Sequence, residues 1–545
     1  MRIRFQIVSI GFLFFISLGY SQSWKTYPYQ PEGSLLIFPE DEGRHEGEPI
    51  EWWYTSGYLT GETTGTLFSY MISYFYYPSF GYDGFRIFNL SNEDNGQFFS
   101  DFQPVDYTEM GIDRLHIMAS ISPEITESWS NKTDGNGDVI PFEYVLSVAA
   151  ANAELDLEYV SLKPPLILGD SGLFNQGFSS YTYYYSLTKN AVEGTLIANG
   201  ITELVSGFSW IDRQYGTFNP LIQEDYEWFS LQLSNEMDIN LWNLFTPNRQ
   251  VPETPAYRIM SVYVDENTQF TTEKFEIERL SFIFMPDSTR CYSQKWRLTS
   301  SENGLDLIIT TRHNNSEVQL PFRFFEGATT ITGTVDGNPV TGMGFAELLH
   351  SYSKPDISIT YPDDFYWNSI RPIIWHLANP DYGRPLKYNL ECSTDNKQTF
   401  FPVAEGITDT LFYWTNPSVS DGDSCWFKVT AYSIDSTLQN TVLSTSPSLF
   451  KPNLTAIQSS GEGFYGDRIR KIYPNPANET LMIELIEGHS YSLLQIMNIN
   501  GQIILEKNIS SKNQIEININ SMVSGVYFIG LYNQENITIR KFLVR

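Results

Sequence analysis

Glu51-Trp52-Trp53-Tyr54-Thr55-Ser56-Gly57-Tyr58-Leu59 is the stretch whose reading decides the fold. Side chains alternate across a strand, so Glu51, Trp53 and Thr55 share one face and Trp52, Tyr54 and Ser56 the other, which sends one tryptophan inward. The same pattern continues on both sides. Aromatic residues make up 15% of the chain and recur in alternating runs such as Tyr181, Tyr183 and Tyr185, a usage suited to strands rather than helices. From about Trp24 to Tyr352 short period-two segments are separated by the turn signals Asp83-Gly84, Asp134-Gly135 and Asp336-Gly337-Asn338, with no amphipathic helix pattern between them. Many antiparallel strands without helices predict an all-β sandwich or barrel. The run is too long for one small barrel, so two consecutive barrel-like halves are expected, residues 22–204 and 205–352.

The whole chain of 545 residues exceeds the size at which one core stops growing. Residues 1–21 read as a signal peptide: Arg2 and Arg4, an apolar run from Ile7 to Leu18, then small Gly19 and Ser21 before Gln22. No other apolar stretch reaches the roughly eighteen residues of a membrane helix, so no integral membrane segment is expected after cleavage. Residues 354–452 carry strand-like runs, Ile374-Trp375, Tyr388-Asn389-Leu390 and Trp426-Phe427-Lys428-Val429-Thr430-Ala431, and resemble a fibronectin type III or immunoglobulin-like sandwich, usually a spacer or a carbohydrate or protein binder. Residues 453–470, with the Ser- and Gly-rich stretch from Ser459 to Gly466, read as a linker.

With 34 basic and 64 acidic residues the chain carries a net charge of −30, which repels phosphate backbones and argues against nucleic acid as a partner. Three cysteines exclude a disulfide scaffold and a four-cysteine zinc site. Cys392 and Cys425 fall on two strand-like runs of one small domain, placed for a bridge in an oxidising compartment, and Cys291 is left over. No H-E-x-x-H, G-x-S-x-G or P-loop run is present, and His45, His116, His313 and His350 are scattered, so neither a metal nor an organic cofactor is expected.

Three clusters carry candidate chemistry. The first is the opening strand, preceded by His45, with Glu51 and Trp53. The second reads V-S-G-F-S-W-I-D-R-Q-Y-G from Val205 to Gly216, with Phe208, Trp210 and Asp212 on one strand face. A carboxylate buried beside aromatics has its pKa raised by desolvation and serves as a proton donor near neutrality, whereas an ion pair with Arg213 gives a purely structural Asp212. Next come Trp228, on a mixed aromatic and polar face with Ser230 and Gln232, and Trp242 further on. The third cluster is Gly342-Met343-Gly344-Phe345-Ala346-Glu347-Leu348, where Glu347 is either an inward carboxylate or the partner of a core arginine.

Together these segments resemble the lipocalin-like family that includes carotenoid 1,2-hydratase and the AttH proteins. The resemblance rests on E-W-W-Y-x-x-G-x-L at Glu51, P-L-x-L-G-D-x-G at Pro165, the Tyr183-Tyr184-Tyr185-Ser186 run, and V-x-G-x-x-W-x-D at Val205. It continues through W-F-x-L-Q-L at Trp228, F-E-G at Phe325 and G-x-G-x-x-E at Gly342. It implies two consecutive lipocalin-like β-barrels and a lipophilic, isoprenoid-type small molecule bound or acted on in a barrel cavity. Hydratases of this kind protonate an alkene and stabilise the cation with aromatic faces. That implies Asp212 as acid with Tyr215 and Arg213 beside it, and Trp53, Trp210, Trp228, Trp242, Glu51 and Glu347 around the ligand. Where the hydratase pattern has D-H-x-W-G, this chain has Asp212-Arg213-Gln214-Tyr215-Gly216. A non-catalytic carrier of an apolar ligand and a surface glycan-binding protein are the alternatives.

Residues 471–545 run through Tyr473-Pro474-Asn475-Pro476, Asn498-Ile499-Asn500-Gly501-Gln502, Gly525-Val526-Tyr527 and a basic-aromatic end at Arg540-Lys541-Phe542. They resemble the C-terminal sorting domain of the type IX secretion system of Bacteroidetes, a small β-sandwich with a hairpin turn at Asn500-Gly501. The resemblance implies the secretion machinery as partner and a secreted or cell-surface location, reached through the periplasm and outer membrane.

Overall fold

The computed structural model describes residues 22–545 apart from 80, 220–223, 320–321, 363–365, 369–370, 452–468, 487–490, 500–501, 510–512 and 533–536. The signal-peptide segment, nearly all of the linker and the Asn500-Gly501 turn therefore lie outside the described residues. Among those described the fold is all-β, with a single 3-10 turn at Glu40–Glu42 as its helical element, and no helix is long and apolar enough to cross a membrane.

Ten strands between Ile50 and Gly216 form a closed barrel. The first, Ile50–Gly61, pairs antiparallel with the last, Ile201–Gly216, so that Tyr54 lies opposite Asp212. The strand Ser180–Ala198 completes the ring by pairing with both Ile201–Gly216 and Ala153–Ser161. The expected division after residue 204 thus falls inside a strand that belongs wholly to the first barrel. Asp83-Gly84, read as a turn, lies within the strand Tyr82–Asn92. By contrast, Asp336 and Gly337, at φ of 49° and 76°, turn the chain between paired strands with the positive φ values of a type I′ hairpin.

The barrel interior is a packed aromatic core containing Trp53, Tyr70, Phe88, Trp129, Tyr144 and Tyr159. One end is stoppered by the segment before the first strand, which contributes Trp24, Leu36 and Phe38 to the same core. Trp53 Nε1 donates to the Glu42 carbonyl at 2.9 Å. The buried Glu42 carboxylate accepts from Tyr27 at 2.6 Å, Tyr144 at 2.7 Å and Asn131 at 2.7 Å. Burial pushes that carboxyl to about 7 against the pull of these donors.

The second half, from Tyr226 to Leu348, is a ten-stranded half-barrel, its sheet not closing on itself among the described residues. Its central strands are Asp238–Leu244, Tyr226–Leu233, Asn338–Leu348 and Phe324–Val335, in that order. Trp228, Trp242, Phe324 and Phe345 from this sheet pack with Tyr54, Tyr58, Met71 and Trp210 from the outer face of the closed barrel. A polar and apolar seam between barrel and sheet results, and the candidate site lies in it.

Residues 357–450 form a three-stranded and a six-stranded sheet around a core with Trp367, Trp375, Leu390 and Phe427. Cys392 and Cys425 are both buried in that core as free thiols, and contact with Cys425 raises the Cys392 thiol above its ordinary range. From the strand Ile469–Tyr473 onward the described residues form a three-stranded and a four-stranded sheet around Leu481, Ile496, Ile529 and Phe542.

Candidate functional site

Parity along Ile201–Gly216 divides its residues between two environments. Ile211 and Tyr215 join the barrel interior, whereas Trp210 faces outward into the seam, and Asp212 shares that outward face. Asp212 is 3% exposed. It accepts three hydrogen bonds, from Tyr184 Oη at 2.6 Å, Ser186 Oγ at 2.6 Å and Trp210 Nε1 at 2.7 Å. Asn240, on the facing sheet, donates Nδ2 to both Tyr184 Oη and Ser186 Oγ at 3.0 Å, which turns both hydroxyl protons toward Asp212. Asn240 Oδ1 in turn accepts from Trp228 Nε1 at 3.1 Å.

All three donors to Asp212 are neutral, and Arg213, the alternative partner, pairs with Glu51 instead. Burial therefore dominates and pushes the Asp212 carboxyl to about 7, the hydrogen bonds from Ser186, Tyr184 and Trp210 hold it back, and the Glu347 charge adds to the rise. Near neutrality a substantial fraction of Asp212 carries a proton.

Glu347 lies on Asn338–Leu348 directly opposite Glu326 and accepts from Tyr226 Oη. Glu326 is 2% exposed and accepts from Tyr54 Oη at 2.9 Å. Burial raises both carboxyls, and the neighbouring Glu347 charge raises Glu326 further. Two neighbouring buried carboxyls disfavour each other's ionised form, so the pair favours keeping a proton. The expected pairing of Glu347 with a core arginine is replaced by this carboxyl and tyrosine arrangement.

Asp212 and Glu347 open on one cavity, walled by Trp52, Tyr54, Tyr184, Trp228, Trp242 and Phe324. It encloses about 50 Å³, and about 630 Å³ with the open space at its mouth. The enclosed part has room for a water or the branched end of a larger molecule.

Of the residues expected in the site, Asp212, Glu347, Trp228 and Trp242 meet at this cavity. Trp210 does not line it and stands behind Asp212 as a hydrogen-bond donor. Tyr215, Arg213, Trp53 and Glu51 belong to the other face, because residues three apart on a strand point oppositely. There Tyr215 donates to Asp41 and stacks on His45 with ring centroids 3.7 Å apart. Arg213 lies 3.9 Å over the Trp53 ring and bonds Glu51. Burial would raise Glu51, but Arg213, His45 and Arg44 outweigh it and hold that carboxyl below its ordinary value. Asp41 and Glu51 also hold the half-buried His45 above its ordinary value, against burial. This second cluster braces the stoppered end of the barrel and does not reach Asp212.

Tyr226, Asn240 and Glu326 are among the contributors that had no role assigned from sequence. Tyr226 and Asn240 lie on strands whose register against the barrel is a tertiary property. Glu326 sits inside the F-E-G segment at Phe325, and its cross-strand position opposite Glu347 was the missing information.

Comparison with known proteins agrees with this architecture. Residues 29–352 match the AttH-like family model, and residues 471–545 match the secretion system C-terminal sorting domain. That domain marks the protein for secretion and attachment at the cell surface. Kievitone hydratase from Fusarium solani subsp. phaseoli is 22% identical over 367 residues, 60% of this chain and 92% of that protein. The crystal structure of a putative AttH from Nitrosomonas europaea superposes with a TM-score of 0.50 at 21% identity, covering 59% of this chain and 99% of that one. Kievitone hydratase from Nectria haematococca gives a TM-score of 0.48 at 19% identity, over 60% of this chain and 98% of that one.

Proposed function

The chain belongs to the AttH-like family, and from that premise we propose that it is a secreted hydratase-type enzyme acting on the alkene end of a lipophilic, isoprenoid-type molecule. The observation that carries this reading is Asp212, a buried carboxyl with neutral donors only, held near 7 by burial at the wall of an aromatic cavity. A carboxylic acid kept protonated at neutrality is what alkene protonation requires.

In this reading Asp212 gives its proton to the terminal carbon of a branched double bond, the π pair forms the new C–H bond, and a tertiary cation remains. The faces of Trp228 and Trp242 and the ring of Tyr54 stabilise that cation. A water then supplies its lone pair to the cation, and the proton it sheds returns to the Asp212 carboxylate, so the acid is regenerated and one water is added overall. Glu326 and Glu347, both raised by burial, favour their neutral forms and so limit the negative charge beside Asp212. The small enclosed volume suits the reacting terminus, with the remainder of the substrate in the mouth.

The test is native mass spectrometry of the full chain purified from its producing cells, followed by incubation with its extracted apolar ligand and, separately, with kievitone. A mass gain of one water, lost in Asp212→Asn, is the expected result. Recovery of both compounds unchanged by wild type and variant alike overturns the enzyme and leaves an apolar-ligand carrier.

A further inference from the structure

The closed barrel has two unlike ends. At the end marked by Glu51 and Gly216 the segment before the first strand fills the lumen, as described above. At the opposite end the chain turns between Gly61 and Leu67, Asn92 and Gln97, Ala150 and Ala153, and Ala198 and Ile201. Among the described residues the segment from Arg312 to Asn315 bonds to the Asn92–Gln97 turn, but none of its residues lines the mouth of the lumen. The turns surround a cup of about 540 Å³, roughly ten times the room enclosed beside Asp212.

The floor of this cup is the top of the barrel core. Phe68, Leu90, Phe99, Ala153, Leu196 and Ala198 line it, and all six pack with the lumen residues. Ile201, 68% exposed, stands at the lip. The rim is polar but almost without charge: Thr64, Thr66, Asn92, Gln97, Asn152 and Asn199 contribute amides and hydroxyls, and Glu203 is the one charged side chain lining the cup among the described residues. The Glu203 carboxylate is already engaged, accepting from the backbone N–H groups of Thr63 and Thr64 at 3.1 and 2.6 Å and from Thr64 Oγ1 at 3.1 Å.

We infer that this cup is a second ligand site, separate from the Asp212 cavity, for an uncharged small molecule with an apolar body and a hydroxyl or similar neutral polar end. The volume lies within the range of small-molecule pockets, and an apolar floor with a few polar groups at the rim is their usual composition. Charge selects the class of ligand. With one carboxylate and no cation on the lining, an anionic head group gains no partner and meets like charge, whereas a hydroxyl finds the Asn and Thr groups of the rim. The apolar body covers the floor residues and displaces water from them. The inference stands whether or not Asp212 is catalytic.

The probes are 1-dodecanol and dodecanoate, which share a chain and differ in head-group charge, titrated into the full chain and followed by native mass spectrometry and isothermal calorimetry. One dodecanol per chain is expected, with dodecanoate at least tenfold weaker. Ala198→Trp, which fills the cup, and Phe99→Glu, which charges its wall, are each expected to weaken dodecanol at least tenfold. Asp212→Asn is expected to leave it unchanged. Near-UV circular dichroism of each variant establishes that it is folded, and the two cup variants act by different means, so failure of one to fold leaves the other as the test. Absence of dodecanol binding up to its solubility limit overturns the inference. So does dodecanol binding that both folded cup variants retain, or a preference for dodecanoate.

Discussion

Trp210 reaches Asp212 from two residues earlier on the same strand face, its indole N–H meeting Oδ1 at 2.7 Å. A side chain that a sequence reading assigns to the ligand is thereby a tuning group for the acid. Each hydrogen bond donated to the carboxylate favours its ionised form. Trp210→Phe keeps the ring and removes the donor, so the Asp212 pKa rises further. In the proposed mechanism activity is present while Asp212 is protonated and is lost as pH climbs through its pKa. The alkaline midpoint of the rate profile, expected near 7 in wild type, therefore moves upward in Trp210→Phe, and a pH series of initial rates measures it.

Asp212 also imposes a pH signature on stability that needs no substrate. Its carboxyl stands at 3.8 in an unconstrained chain and at about 7 in the fold. Between those values the folded state holds a proton that the unfolded state has released, so the contribution of this group to stability is greatest below 3.8, falls as pH rises, and levels off above 7. Asp212→Asn abolishes this dependence. The melting temperature of the variant relative to wild type is expected to increase between pH 4 and pH 8, by the equivalent of a few kcal/mol, roughly 1.4 kcal/mol per pH unit over the interval. A difference that is flat with pH would contradict the buried neutral acid.

Trp228 does two jobs. It walls the cavity and holds Asn240, which aims the Tyr184 and Ser186 hydroxyls. Trp228→Phe retains most of the apolar wall and loses the hold on Asn240, whereas Trp228→Ala loses both. Binding of an apolar ligand in the seam should weaken by at least about 1 kcal/mol in Trp228→Ala and by less in Trp228→Phe. Titration calorimetry with the extracted ligand separates the two.

Arg213 is the control for the opposite face. It is 1% exposed and its charge is matched by Glu51, itself wholly buried. Arg213→Met leaves Glu51 with less compensation inside the barrel, a change worth roughly 3–5 kcal/mol of stability for a buried pair broken on one side. The pH midpoint of activity should not move, since the Arg213 side chain lies on the lumen face and meets the cavity residues Trp52 and Gln214 only through their backbone carbonyls. A shift of that midpoint would join the two clusters that the fold separates.

Much of this arrangement was legible in the chain and some was not, for identifiable reasons. The alternation at Glu51 to Leu59 correctly divides Trp53, which enters the lumen, from Trp52 and Tyr54, which line the seam. The same rule, applied to Asp212 and Tyr215, places them on opposite faces, so the idea of Tyr215 assisting Asp212 conflicted with information already present in the strand. Register is different in kind. That Asp212 lies opposite Ser186, and Glu347 opposite Glu326, depends on pairings between distant segments that no local pattern encodes. The same holds for the second half, where periodicity predicts strands but does not say whether their edges meet.

The pairing of Ile50–Gly61 with Ile201–Gly216 has a kinetic consequence. The ring is shut by contacts between residues about 150 positions apart, so their loop-closure entropy is spent before most of the barrel's burial is gained. Synthesis delivers Trp24, Leu36 and Phe38 first, yet the lumen they stopper does not exist until Gly216 has been made. Long-range closure of this kind favours slow folding, so the ring is expected to shut only after Gly216 has been made, with the Trp24 to Phe38 segment docking into it then.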